Sequence, residues 1–442
     1  MNETIKLLKD EIAQRREEGC DEIALAELER EIGALPDTAS QQLIDDLYRR
    51  LDQLQPDPLL AAKEPSDLDS IRALRPDGPR VIDLSLTDEQ LTDRMLGAWL
   101  ARAAGCTLGK PVEGWPRSDI RALLESADEY PLRHYFPAIS DYPRKWHSGN
   151  IGCLRGNITR MERDDDMDYT FLGLRVMEKY GPEFSTDHVA RAWLDELPYY
   201  RVYTAERVAY RNLVLEKTAP ETALWRNPYR EWIGAQIRAD AWGYVAAGMP
   251  ELAAEFAWRD AALSHVKNGI YGEMWMAATI AAAFRASDAA EAIRIGLSEI
   301  PAECRLAEAL RDVLAWHDND SDRERLLDRI HEKYGHYHPV HTINNAALVA
   351  AGLLVGGDDL GTTIATAVMG GWDTDCNGAS AGSVFGAMSG AQPLPYEWVG
   401  PLNDTLDTAL SSASTGRPLR FMDLARRTVT QLHRVRDYAA RR

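Results

Sequence analysis

Alanine- and glycine-rich apolar segments in the second half of the chain constrain its fold most strongly. Residues 271–286 (YGEMWMAATIAAAFRA), 343–356 (INNAALVAAGLLVG) and 359–371 (DLGTTIATAVMGG) carry apolar side chains at helical spacing. Their small residues allow helices to approach one another closely. The alternating pattern of a half-buried strand is lacking, and residues 81–86 (VIDLSL) are the one short candidate. The sequence therefore predicts an all-α fold, a large helix bundle.

The first eighty residues differ in character from the rest. Leucines recur at helical spacing, for example at Leu43, Leu47 and Leu51. A stretch rich in proline and acid, residues 56–69, then precedes RPDGPR at 75–80, which is typical of a linker. We predict a helical accessory segment and linker over residues 1–80 and a main domain over 81–442. The accessory helices are expected to pack on the main domain or on a second copy of the chain, as in a homo-oligomer.

The charge of the chain excludes several classes of partner. The net charge is -19, from 69 acidic and 50 basic side chains, and such a field repels nucleic acid and anionic membrane surfaces. No stretch reaches the roughly 20 apolar residues of a membrane-spanning helix. The five cysteines are scattered without a C-x-x-C pair, which indicates reduced thiols. These features predict a cytoplasmic protein whose partner is a small-molecule or protein substrate.

Two acidic motifs are the candidates for chemistry. Asp164, Asp165 and Asp166 stand directly before a helical pattern, and Asp373 and Asp375 lie in a glycine-rich turn between two apolar helices. Adjacent carboxylates repel one another unless a helix N-terminus or a divalent cation compensates them. Carboxylate oxygens favour Mg²⁺, Mn²⁺ or Ca²⁺ over zinc. The alternatives are a solvated acidic cap for the first motif and helix capping for the second.

A set of motifs in a fixed order identifies a family resemblance. DRMLGA at 93–98, GCTLGKPVEG at 105–114, the three aspartates at 164–166 and GWDTD at 371–375 together resemble the ADP-ribosylglycohydrolase family. The resemblance runs from about residue 88 to 388 and leaves the N-terminal segment and the C-terminal helix outside. It implies that residues 81–442 are a catalytic domain that hydrolyses an ADP-ribosyl or related N- or O-linked ribosyl bond, using one or two divalent cations.

The resemblance also implies roles for individual residues. Glu113, Asp166 and Asp375 are expected to be catalytic, and the five aspartates of the two motifs are expected to bind metal. Six further residues are expected to contact the substrate: His265, Asn268, Gly269, Tyr271, Gly371 and Trp372. Residues 146–150 (WHSGN) are interpreted as a surface loop, with a cover over a ligand cleft as the alternative.

Several positions depart from the family pattern. Asp164 and Cys376 stand where the family has threonine ligands, and Cys106 stands where it has an aspartate. The segment GAQIRAD at 234–240 replaces a glycine- and asparagine-rich contact to phosphate or ribose. A nucleoside or other small riboside is therefore an alternative substrate. A second alternative is a non-catalytic relative that binds a ligand or serves a structural role.

Overall fold

The computed structural model describes residues 3–139, 148–411 and 418–442. Within these ranges the chain forms 22 α-helices and short 3-10 turns without a β-strand, and its β-pairing is confined to isolated bridges such as Trp232 with His341. The all-α prediction is confirmed. Residues 81–86, the one candidate for a strand, do not form one.

The helices are numbered α1 to α22 in chain order. They span Glu3–Glu17, Glu22–Gly33, Gln41–Asp52, Pro58–Lys63, Leu68–Leu74, Asp88–Gly109, Arg117–Ser126, Asp165–Tyr180, Thr186–Glu196, Thr204–Val214, Glu221–Leu224, Asp240–Val245, Pro250–Ala261, Lys267–Ala283, Ala289–Leu297, Arg305–Asn319, Arg323–Tyr334, Thr342–Gly356, Leu360–Met369, Thr374–Ser389, Tyr396–Val399 and Phe421–Ala439.

Helices α1 to α5 form an N-terminal extension that docks on the rest of the molecule. The extension has a small core of its own, which includes Leu8 and Leu25. Its acidic side chains reach buried cations of the main body: Arg230 lies 3.0 Å from both Glu11 and Glu18. Removing one partner of such a pair leaves an uncompensated buried charge, so these contacts fix the extension in place. The division into two domains at residue 80 stays a prediction.

Helix α22 closes the main core at the other end of the chain. It packs on α6, where the indole Nε1 of Trp99 donates a hydrogen bond to Thr428 Oγ1 at 3.2 Å. Leu424 and Leu432 are fully buried in the same hydrophobic core. The C-terminal helix therefore belongs to the main body.

Helices α6 and α20 form the tightest contact of the bundle. They run antiparallel, and small residues four positions apart face each other along both helices. A Cβ atom on Gly105 would overlap the carbonyl group of Gly378, so the two backbones are in direct contact. At one end, Thr374 Oγ1 donates a hydrogen bond to the carbonyl oxygen of Gly109 at 2.8 Å. The facing residues are Gly97, Ala101, Gly105 and Gly109 on α6 and Thr374, Gly378, Gly382 and Gly386 on α20.

No helix in the described part of the chain is both long and apolar enough to span a membrane. The cytoplasmic location, the partner classes and the oligomeric state stay predictions.

Candidate functional site

Three chain segments that carry acidic residues meet where α6 and α20 are held together. Glu113 follows the 3-10 turn Lys110–Val112 at the end of α6, Asp164 is the N-cap of α8, and Asp373 is the N-cap of α20. The positive ends of two helix dipoles thus point at the cluster and favour its negative charge. Of the two expected sources of compensation, a helix N-terminus or a divalent cation, the helix N-termini of α8 and α20 are present.

A backbone clamp fixes the Glu113 loop against the glycine turn before α20. The amide of Gly114 donates to the carbonyl of Trp372 at 2.9 Å, and the amide of Trp372 donates to the carbonyl of Trp115 at 3.3 Å. Gly371 and Trp372 have φ angles of +79° and +65°. For a bulky residue such as tryptophan this backbone conformation is strained, which is typical of functional sites. Both residues directly precede Asp373 in the chain, and their role as substrate contacts stays a prediction.

The side chains of the two acidic motifs converge. Three groups of potential ligand atoms each lie within 4.8 Å: Glu113 with Asp373 and Asp375, Asp166 with Asp375 and Cys376, and Cys106 with Asp164 and Asp166. We call the first the outer group, because Glu113 is exposed to solvent, and the other two the inner groups, because all their members are buried. Asp375 belongs to both kinds of group and connects them.

The outer group consists only of carboxylates and is incompletely bonded. The Oδ1 atom of Asp375 is buried and has no hydrogen-bond partner among the described residues. The side-chain oxygen of Asn345 accepts hydrogen bonds from the Asp373 amide at 3.2 Å and from Asn377 Nδ2 at 2.8 Å, which anchors the start of α20. Three oxygen donors around an unsatisfied buried carboxylate fit a hard divalent cation.

The inner carboxylates already have protein partners. Asp164 pairs with Lys110, whose Nζ lies 3.0 Å from Oδ2, and its Oδ1 accepts the Asp166 amide at 3.1 Å. Asp166 Oδ1 lies 3.3 Å from Arg102 Nη2, and its Oδ2 accepts the thiol of Cys376 at 3.3 Å. All four carboxylate oxygens of Asp164 and Asp166 are therefore bonded within the protein.

Asp165 lies outside the three groups. Its nearest cation is Arg163, at 3.8 Å, and its side chain is 26% exposed. Its negative charge still acts on Glu113 and Asp166, whose pKa values it raises, so its role as a ligand stays a prediction.

Asp168, in the same turn, anchors a neighbouring segment. It accepts hydrogen bonds from Arg163 Nε at 2.7 Å and from the Ala409 amide at 2.9 Å.

Burial and mutual repulsion leave the outer group with uncompensated charge. The negative charge of Asp375 raises the pKa of Glu113 well above its usual range. Burial and then the charge of Asp164 raise the pKa of Asp375 to about 6. Burial acts in the same direction on Asp164, but the adjacent Lys110 ammonium outweighs it and holds the pKa of that carboxyl below its usual value. The charge of Asp164 is thus compensated by Lys110, whereas burial raises the pKa of Asp166 well above its usual range although Arg102 lies beside it.

We expect the stability of the cation-free protein to fall as the pH rises. The folded-state pKa of Asp375 is about 6 against a usual 3.8, so the stability linked to its proton is present below about pH 4 and is lost as the pH rises through 6, a difference on the order of 3 kcal/mol. A bound divalent cation would restore it. Thermal unfolding from pH 5 to 8, in chelator and in Mn²⁺, should show a gap between the two melting temperatures that widens with pH. A gap that is constant over this range would contradict the expectation.

Three of the predicted substrate contacts lie in a different place from the acidic cluster. Asn268 Nδ2 donates to Glu231 at 2.8 Å, and its Oδ1 accepts the Leu306 amide at 3.0 Å. The Tyr271 hydroxyl donates to the carbonyl of Pro65 in the N-terminal extension. Gly269 packs against the backbone of Arg230. These residues are buried under the extension, apart from the acidic groups, and their role as substrate contacts stays a prediction.

His265 lines a separate cavity between the extension and the main body. The cavity has a volume of about 910 Å³ and includes Trp225 and Trp258 among its lining residues, but no member of the acidic groups. The Nδ1 atom of His265 lies 2.8 Å from Ser264 Oγ, and burial lowers the pKa of the imidazole well below its usual value. His265 is therefore a neutral, buried side chain that does not belong to the acidic cluster.

Of the loop at residues 146–150, Trp146 and His147 lie outside the described residues. Asn150 is described, and its Nδ2 donates to the carbonyl of Lys110 at 2.7 Å. This part of the loop therefore packs on the turn that carries Lys110.

Sequence reasoning missed Lys110, Arg102 and Asn345 as members of the site. Lys110 stands three residues before Glu113. This short separation from a predicted catalytic residue could have indicated that Lys110 belongs to the site. Arg102 is a fully buried cation in the apolar pattern of α6, and it lies 2.9 Å from a second buried carboxylate, Asp240. A charge in a buried helix face indicates a buried partner, but it does not say which one.

Comparison with known proteins supports one family. The sequence model described as ADP-ribosylglycohydrolase matches residues 87–436. A solved structure described as "ADP-ribosylglycohydrolase-related protein complex" is 19% identical, with 78% of this chain and 99% of that chain covered and a TM-score of 0.47. A search of curated proteins gave no match. The expectation that the family similarity ends near residue 388 is wrong, because the match includes α22, which packs on α6 in the main core.

Proposed function

Because the chain belongs to the ADP-ribosylglycohydrolase family, we propose that it is a metal-dependent hydrolase that cleaves an ADP-ribosyl bond or a related ribosyl bond. The observation that carries the proposal is the outer group. It places an exposed glutamate, Glu113, beside two buried carboxylates, Asp373 and Asp375, with one buried oxygen unbonded. Mg²⁺, Mn²⁺ and Ca²⁺ all suit this donor set.

The residues of the outer group have distinct roles in this proposal. Hydrolysis of a ribosyl bond develops positive charge on the sugar, which the negative charge of Asp373 and Asp375 stabilises. A bound divalent cation would orient the ribose hydroxyls and lower the pKa of a bound water molecule. Glu113 is the general base, because it is the carboxylate of the outer group that is exposed to solvent.

Asp166 has a different role from the one its motif suggested. Its two carboxylate oxygens are bonded to Arg102 and Cys376. It therefore orients the start of α8 and the first turn of α20, and we assign it a positioning role beside Asp375.

A smaller riboside is the second candidate substrate, and Arg238 favours it. This arginine lies in the segment where the family has its phosphate or ribose contact. Here its guanidinium is 1% exposed and pairs with Glu206 at 2.6 Å, Asp260 at 2.7 Å and Glu273 at 3.5 Å. A guanidinium held by three carboxylates cannot also bind a diphosphate.

The test is a hydrolysis panel in the presence of Mg²⁺ or Mn²⁺. It includes ADP-ribosyl-arginine, ADP-ribosyl-serine and a set of nucleosides, and the products are free ADP-ribose or ribose. We expect hydrolysis of at least one class, and Glu113→Gln should lower kcat by roughly 10²- to 10⁴-fold. Release from the nucleosides alone would select the smaller riboside. No release from any substrate would contradict the proposal and favour a non-catalytic relative.

A further inference from the structure

The acidic cluster divides into two carboxylates whose oxygens are all bonded within the protein and an outer group that has no ion pair among the described residues. The inner carboxylates, Asp164 and Asp166, are bonded to Lys110, Arg102 and a thiol. We infer that the ammonium group of Lys110 takes the place of a second cation, so that each chain binds one divalent cation, at Glu113, Asp373 and Asp375. This inference rests on the proposed metal site. It adds the number of cations bound per chain and names Lys110 as the residue that determines this number.

Lys110 is held firmly at the inner carboxylates. Its Nζ lies 3.0 Å from Asp164 Oδ2 and also donates to the carbonyl oxygen of Arg163. The carbonyl oxygen of Lys110 is bonded in turn by Asn150. The side chain is mostly buried, so solvent screens its charge poorly. A divalent cation bound to Asp164 would lie next to this ammonium and be repelled by it.

The donor atoms of the inner groups also disfavour a hard cation. Two of the five potential ligands are thiols, Cys106 and Cys376. The Cys376 thiol donates to Asp166, so the sulfur presents its proton to the carboxylate. Neutral sulfur is a poor ligand for Mg²⁺, Mn²⁺ or Ca²⁺, which take oxygen.

The outer group, in contrast, lacks a paired protein cation among the described residues and consists only of oxygen ligands. None of the ion pairs found across the described ranges involves Glu113, Asp373 or Asp375, and the buried Oδ1 of Asp375 is unbonded. All three potential ligands are carboxylates, and Glu113 opens the group to solvent. A cation can enter there and neutralise charge that the protein leaves uncompensated.

The experiment is a Mn²⁺ titration of the full-length protein by equilibrium dialysis, with the electron paramagnetic resonance spectrum as a second readout. We expect one Mn²⁺ per chain and a spectrum without spin coupling between two ions. Two bound ions in the wild-type protein would overturn the inference but leave the proposed hydrolase intact. No bound ion would overturn both the inference and the metal dependence.

Variants identify the residue that sets the stoichiometry. Lys110→Met removes the ammonium and keeps the length of the side chain, so it should bind a second Mn²⁺. Lys63→Met is the matched control, because it breaks an exposed 3.0 Å ion pair with Glu303, and it should still bind one. A single ion in Lys110→Met would overturn the assignment to Lys110. If Lys110→Met does not fold, the double variant Cys106→Asp/Cys376→Thr is the second test, because it replaces both thiols by oxygen ligands and retains Lys110. We expect this variant to bind one Mn²⁺ ion per chain. Two bound Mn²⁺ ions would overturn the inference.

Discussion

Replacing Asp373 and Asp375 together by asparagine is expected to abolish hydrolysis and the stabilisation by divalent cations. Both carboxylates belong to the outer group, and their loss leaves Glu113 as its single acid. Activity should fall by roughly 10³-fold or more. A cation present at 100 times its Kd stabilises the wild-type fold by about 2.7 kcal/mol, and this increment should vanish in the variant. Substrate turnover and melting temperature, each with and without Mn²⁺, are the measurements.

The same variant should be at least as stable as the wild-type protein when no cation is present. Asparagine has the shape of aspartate without its charge, and burial raises the pKa of both replaced carboxyls, which shows that their charges are costly in the fold. The control is Asp358→Asn, at an exposed position, which should change neither activity nor the response to Mn²⁺. If the double variant still melts at a higher temperature in Mn²⁺, the cation is bound elsewhere.

Replacing Gly105 by alanine is expected to destabilise the protein by about 3 kcal/mol or more, at the upper end of the cost of overpacking. The added methyl group would overlap the carbonyl of Gly378, a backbone group that cannot rotate away. The two helices must therefore move apart along their whole contact. Because this contact also holds the end of α6 against the start of α20, the affinity for Mn²⁺ should fall as well. Denaturant unfolding and a Mn²⁺ titration measure the two effects.

Gly33→Ala is the matched control for this prediction. Gly33 is the last residue of α2, and a Cβ atom there would have no neighbour within 4 Å. The helix propensity of alanine exceeds that of glycine, so the change should alter stability by less than about 1 kcal/mol. If Gly105→Ala behaves like Gly33→Ala, the close packing of α6 on α20 is not what stabilises the site.

Local sequence signals account for the helical class and for some of the helix ends. Thr87 and Gln90 have the spacing of a capping box, and both of its reciprocal hydrogen bonds are present at the start of α6. The pattern at the end of the chain is amphipathic, and it forms α22 from Phe421 onward. These signals depend on hydrogen bonds and side-chain periodicity within a few neighbouring residues, so the sequence alone is sufficient for them.

Contacts between distant segments could be predicted only in part. The family resemblance led to the correct expectation that the motif of Asp166 and the motif of Asp375 lie together. It did not indicate that Asp165 would be absent from the three ligand groups or that Lys110 would pair with Asp164. Asn268 and Tyr271 lie under the N-terminal extension, which no motif in their own segment could have indicated.

The sequence by itself determined the helical class, some of the helix ends and the presence of two acidic motifs at helix N-termini. Only the tertiary structure decided which carboxylates share a cation and which are bonded to Lys110 and Arg102. The physical reason is that caps and periodicity arise from neighbouring residues, whereas the site arises where α6 and α20 touch backbone to backbone. That contact depends on the fit of two surfaces more than 200 residues apart in the chain, which local sequence patterns do not specify.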